Sequence, residues 1–154
     1  RDKYKDIEKQ LIIEKTKYVK SISNVETLFL TGMLNSFVQD FVMRHKVSRN
    51  INYFHINGQP IPRFEQYNML HKKIFKNSSM LICTTDEYAK LREEVGISEY
   101  ATEPEKRMVL EAQINAAAAK IYDLTKEEFE YILESFPSAD KNLKEMAMRE
   151  FLLL

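Results

Sequence analysis

The most regular apolar spacing in the chain runs through Leu30, Met33, Leu34, Phe37, Val38, Phe41 and Val42. Intervals of three and four put all seven on one face of a helix. Ser23-x-x-Glu26 just upstream has the form of a capping box, and Arg44-His45-Lys46 places cations where a helix dipole favours them. One amphipathic helix is therefore predicted after Ser23, ending near Lys46, with Asn35, Gln39 and Asp40 off its stripe. A second face, Phe64, Tyr67, Leu70, Ile74 and Phe75, is predicted to stop at Asn77-Ser78-Ser79. Thr84-x-x-Glu87, Thr102-x-x-Glu105 and Thr125-x-x-Glu128 each precede a further helical run. Pro104 suits a first helical turn, and Gly96 suits a C-terminal cap. The run after Thr102 reads Leu110, Ile114, Ala117, Ala118 and Ile121, and Ala116–Ala119 would let another helix approach closely. A helix with Phe129, Ile132, Leu133 and Phe136 stops at Pro137. The last one carries Leu143, Met146, Ala147 and Phe151, and the apolar end Phe151–Leu154 needs a covering surface.

Two segments break the helical period. In residues 1–22 the apolar patches Leu11-Ile12-Ile13 and Tyr18-Val19 are short and set among lysines, which predicts one or two short strands. Ile51-Asn52-Tyr53-Phe54-His55-Ile56 is aromatic and β-branched, the composition of a strand. Asn57-Gly58 then signals a turn, and Pro60-Ile61-Pro62 an extended exit. The fold class is accordingly α+β, mainly α-helical, with a small N-terminal sheet and a helical C-terminal part. The division falls at residues 1–62, a small α+β part, and 63–154, a helical subdomain. Only 3 Gly and 4 Pro occur, which favours helices over a turn-rich sheet.

Charge changes this picture most. The net charge is zero, yet residues 1–80 hold 14 Lys+Arg against 7 Asp+Glu, and residues 81–154 hold 9 against 16. One half attracts a polyanion and the other repels it. The hydrophobic content of 44% is that of a globular chain. No run approaches the roughly 18 apolar residues of a membrane span, so no membrane role is expected. The single Cys83 has no intrachain disulfide partner, which points to a reduced, cytoplasmic setting. The opening Arg1-Asp2-Lys3, without Met, is read as the start of a piece of a longer protein.

The candidate ligand contacts lie in the basic half. Arg44, Lys46, Ser48, Arg49, Asn50, Asn52 and His55 cluster around a helix end and the segment after it. Arg forks onto guanine, Asn onto adenine, and Lys and Ser hold phosphates. Lys72, Lys73 and Lys76 form a second basic group. The bland alternatives are a solvated helix terminus and a solubilising patch. His45, His55 and His71 are too scattered for a metal site, Cys83 reads as a small core residue, and no Gly-rich phosphate loop or nuclease constellation is present. No catalytic, cofactor-binding or metal residue is assigned, and the segment is not expected to be an enzyme by itself.

Leu34-Asn35-Ser36-Phe37, Lys46-Val47, and Tyr53-Phe54 leading to Pro60-Ile61-Pro62 resemble the late target-recognition region of bacterial restriction–modification enzymes, including the fusions of a nuclease with an adenine-specific DNA methyltransferase. Leu81-x-Cys83-Thr84, Ala101-Thr102-x-Pro104-x-x-Arg107 and Asn115 to Thr125 are similar to that family's C-terminal region, as is Glu128-Phe129-Glu130-Tyr131-Ile132-Leu133 with Phe136-Pro137. The likeness spans roughly residues 25–137. Asn115 stands where the family has Asp, and Asp123 where it has Gly, so a turn there falls to a less tolerant residue. The resemblance implies DNA recognition without methyl transfer, since the family's cofactor-binding and Asn-Pro-Pro-Tyr motifs are absent. It implies double-stranded DNA and an N-terminal methyltransferase domain of the parent chain as partners, with S-adenosylmethionine bound by that parent and no cofactor in this piece. The alternative is a helical docking or oligomerisation module, a homodimer for example, without direct DNA contact.

Overall fold

A computed structural model describes residues 22–47 and 50–154. Among them are eight α-helices and one 3-10 turn. The first helix, α1 (Asn24–Leu34), begins as the sequence predicts. Ser23 Oγ accepts from the Glu26 N–H, and Glu26 returns a carboxylate oxygen to the Ser23 N–H at 2.7 Å. That bond, above all, holds the Glu26 carboxyl below the usual range.

The predicted single helix is two. Ser36 ends α1 and starts α2 (Phe37–Lys46). Its hydroxyl donates to Met33 O at 2.7 Å and accepts from the Gln39 N–H. A side chain that competes for backbone groups interrupts a helix even where the apolar stripe continues across it. The break rotates the stripe. Gln39, predicted off the face, is 2% exposed, and its Nε2 donates to the Tyr122 hydroxyl at 2.6 Å.

The expected strand at residues 51–56 is overturned. Residues Tyr53–Asn57 form a short helix, α3, whose start is closed by the Asn52 N–H donating to His55 Nδ1 at 3.0 Å and whose end is closed by the Gly58 N–H on Phe54 O. β propensity acts only where a neighbouring strand and a buried face exist, and among the described residues this segment has neither. No strand occurs among the described residues. The α+β assignment with a small N-terminal sheet therefore gives way to a helical fold. The strands expected in residues 1–22 fall, apart from Ile22, outside the described residues.

Helix α4 (Met69–Ile82) starts at Asn68, whose Oδ1 accepts from the Leu70 and His71 N–H groups. It runs straight through Asn77-Ser78-Ser79, the predicted break, and buries all three. The reason is close packing. A Cβ built on Gly32 of α1 would come within 2.6 Å of Ile74 Cγ2 and 3.2 Å of Ser78 Cβ. The two helices approach where both side chains are small, and the polar groups are satisfied locally. Ser79 Oγ donates to Phe75 O, and Asn77 Nδ2 to Gln113 Oε1.

A 3-10 turn (Asp86–Tyr88) capped at Thr85, one residue past the predicted Thr84, leads to α5 (Ala89–Val95). Gly96 caps α5 at φ 68°, the left-handed region that glycine enters without cost. Helix α6 (Pro104–Ile121) has Glu103 as its cap rather than Thr102, whose hydroxyl instead donates to the Glu103 carboxylate. Asp123 takes φ 51° at the turn after α6. Helix α7 (Lys126–Glu134) opens on the Thr125–Glu128 capping box, and α8 (Lys141–Leu153) opens on Asp140.

Helix α6 runs through the middle. Its Ala112, Ala116 and Ala119 join Val38, Phe129, Leu133, Phe136, Ala147 and Phe151 in one core. Its Ile114, Ala117 and Ala118 join Leu28, Phe29, Met33, Ile74 and Phe75 in the other. Both faces are buried, against α8 and α4. A helix enclosed on two sides needs small residues, and all four alanines from Ala116 to Ala119 are 0% exposed. Asn115 lies between the cores. Its Oδ1 accepts from the Phe37 N–H at 2.7 Å, and its Nδ2 donates to Glu111 O, a bond that an Asp there would lose.

Candidate nucleic-acid interface

The end of α2 and the whole of α3 meet at one corner of the molecule. Lys46 Nζ donates to Gly58 O at 3.0 Å, which ties the last turn of α2 to the exit of α3. Behind them the Tyr122 hydroxyl donates to Pro60 O at 2.9 Å while accepting from Gln39. Burial pushes the Tyr122 phenol up to about 12. It thus stays a neutral donor that joins α2, the end of α6 and the segment after α3.

The basic residues at this corner differ in what they offer. Lys46, Asn50 and Asn52 are exposed. Arg44 is exposed too, but its Nε and Nη2 each reach a carboxylate oxygen of Asp40 at 3.0 Å. That bidentate pair raises the guanidinium further above its ordinary value. The Arg44 guanidinium also lies 4.5 Å over the Phe136 ring. A phosphate at Arg44 would meet Asp40 as well, so Lys46 is the stronger anion contact. His55 is half-buried, with Nδ1 used on the Asn52 N–H and its ring 3.9 Å from that of Phe54. Ser48 and Arg49 lie outside the described residues.

The second basic group sits elsewhere. Lys72 and Lys76 line a groove of about 630 Å³ with Phe64, Val95, Glu26 and Glu94. Two carboxylates on the same walls offset its attraction for phosphate. Lys73, half-buried on the same helix, is not on that wall. The sequence grouped three lysines that the helix divides.

Sequence reasoning missed the aromatic side of the corner. Tyr53 is 85% exposed and Phe54 68%, with Ile51 and Ile56 also outside. The signal that could have found them is the charge pattern: no Asp or Glu occurs between Asp40 and Glu65, while Arg44, Lys46, Arg49 and Arg63 do. Exposed rings within a carboxylate-free stretch are the composition of a nucleic-acid surface.

The remaining candidate chemistry is structural. Cys83 is fully buried, and burial pushes its thiol up, away from nucleophilic use. His71 is buried against Phe29. Among the described residues no three metal-ligating side chains converge. The three glycines lie in a helix contact, at the end of α3 and at the end of α5, so none shapes a cofactor loop. No described helix is long and apolar enough to cross a membrane. No family model, no curated protein and no solved structure matches the chain.

Proposed function

We propose that the chain is a DNA-recognition segment of a restriction–modification adenine-specific methyltransferase, with the corner of α2 and α3 toward double-stranded DNA. The observation that carries this reading is the exposed Lys46, Asn50 and Asn52 within a stretch free of carboxylates. Lys46 neutralises a phosphate, and the two amides offer the donor–acceptor pairs that read base edges. The family likeness of residues 25–137 supplies the kind of enzyme. On this reading methyl transfer and its S-adenosylmethionine belong to a methyltransferase domain of the parent chain. The acidic half, residues 81–154, faces that domain rather than DNA.

Gel-shift titration of duplex DNA at several salt concentrations tests this. Lys46→Ala lowers affinity for every sequence and reduces the salt slope by about one unit. Arg44→Ala has the smaller effect, because Asp40 already offsets that charge. Unchanged affinity and slope in Lys46→Ala removes the corner from the interface.

A second reading has its own observation. Leu152 and Leu153 are 60% and 81% exposed at the end of α8. Such a tip suits a docking or homodimer contact. Sedimentation of the chain as a tight dimer, abolished by changing both leucines to Ser, would favour a docking module.

A further inference from the structure

We propose that Tyr53 and Phe54 form a stacking platform for unpaired nucleic-acid bases. The proposal rests on the nucleic-acid reading of the same corner and adds the form of strand that it holds.

Helix α3 buries none of its five residues. Two consecutive rings, 85% and 68% exposed, therefore stand outward with no core beneath them among the described residues. Leaving both in water is unfavourable, so such a patch implies an occupant. His55 stacks against Phe54 with ring planes 41° apart and holds that ring from one side. Lys46, bonded to Gly58 O, brings a cation to the exit of the same helix.

The charge pattern selects the occupant. With Lys46 exposed at the exit of α3 and no carboxylate in the sequence between Asp40 and Glu65, the corner attracts a polyanion. A polyanion that also covers aromatic rings is one with bare π-faces, which bases present once they leave the duplex stack. Within an intact duplex those faces are already covered by neighbouring bases, and only the edges remain to read. A lipid surface would use a continuous apolar face. Here the exposed Asn50, Asn52 and Asn57 interrupt the apolar residues.

The test is fluorescence anisotropy on three labelled probes: an intact duplex, the same duplex with two unpaired nucleotides at its centre, and a single strand of about twelve thymidines. Anionic phosphatidylglycerol vesicles serve as a fourth probe. The chain is expected to bind the two probes with unpaired bases more tightly than the intact duplex. Tyr53→Ala and Phe54→Ala each weaken those two probes by about tenfold, while Tyr53→Phe keeps the affinity. Binding of the intact duplex and the salt slope stay as in the parent chain. Equal binding of all three probes, unchanged in both alanine variants, overturns the platform and leaves the duplex reading standing. Binding of none of the three overturns both. Capture by vesicles alone assigns the rings to a lipid surface and overturns the platform as well.

Discussion

Helix α6 and helix α3 invert the usual relation between size and burial. In α6 the smallest side chains, Ala116 to Ala119, are wholly enclosed. In α3 two of the largest, Tyr53 and Phe54, are mostly in water. The difference lies in what surrounds each helix, not in propensity. Helix α6 is gripped by α4 and α8, and small residues set how close they come. Among the described residues no core lies beneath Tyr53 and Phe54, so these two rings contribute little to folding. Residues that fix the fold and residues left open to a ligand are thereby separated in space, and substitutions should sort them.

The largest expected effect is at the centre. Phe129 is 0% exposed in the core shared with α6. Phe129→Ala should destabilise by about 3–5 kcal/mol, read from the midpoint of urea unfolding. Overfilling comes next. Ala117→Leu adds volume where nothing is exposed, and Gly32→Ala drives a methyl into Ile74. Each should cost about 1–3 kcal/mol, seen as a lower Tm. A value near zero at Ala117 would mean that α6 is not gripped.

Tyr122→Phe tests the link between the two regions. It leaves the buried Gln39 amide and Pro60 O without their shared hydroxyl, at a cost of about 1–3 kcal/mol. Hydrogen exchange should quicken around residues 53–60 more than in α6. Raising the pH has a parallel effect. The folded phenol titrates at about 12, above its ordinary 10, so its contribution is complete below pH 10 and is lost as pH rises toward 12.

A smaller pH effect is expected from His71. Burial pushes its imidazole below the usual 6.5, and Nδ1 accepts the Glu65 N–H, which only the neutral ring can do. The unfolded chain binds the proton first, so stability should fall as pH drops through 6.5 and level off below the folded value. His71→Gln should flatten that slope in acid-unfolding curves. The smallest effect closes the comparison. Phe54→Ala should change stability by no more than about 0.5 kcal/mol. A cost like that of Phe129→Ala would make α3 part of the core.

How much of this was legible depended on whether the deciding contact was local. The Ser23 and Thr125 boxes and the Gly96 cap are local, and the sequence reads them correctly. The left-handed turn at Asp123 followed from comparing that residue with the Gly expected there. The break at Ser36 was hidden because its apolar stripe continues unbroken. The continuity at Asn77-Ser78-Ser79 was hidden because Gly32, against Ser78, and Gln113, bonded to Asn77, are far away in sequence. The strand expected at 51–56 failed for want of a neighbour that no single segment can reveal. At the candidate site the sequence gathered the cations but could not see that Asp40 engages Arg44, or that the rings face outward.

The mount of the α3 corner is made largely from backbone oxygens. Lys46 grips the carbonyl of Gly58, and Tyr122 that of Pro60. A main-chain acceptor survives any substitution of its own side chain. The side chains at 58 and 60 can thus change without removing these acceptors, provided that Lys46, Gln39 and Tyr122 persist. The exposed Tyr53 and Phe54 rings take no part in that fastening, so they are free to vary while it stays constant.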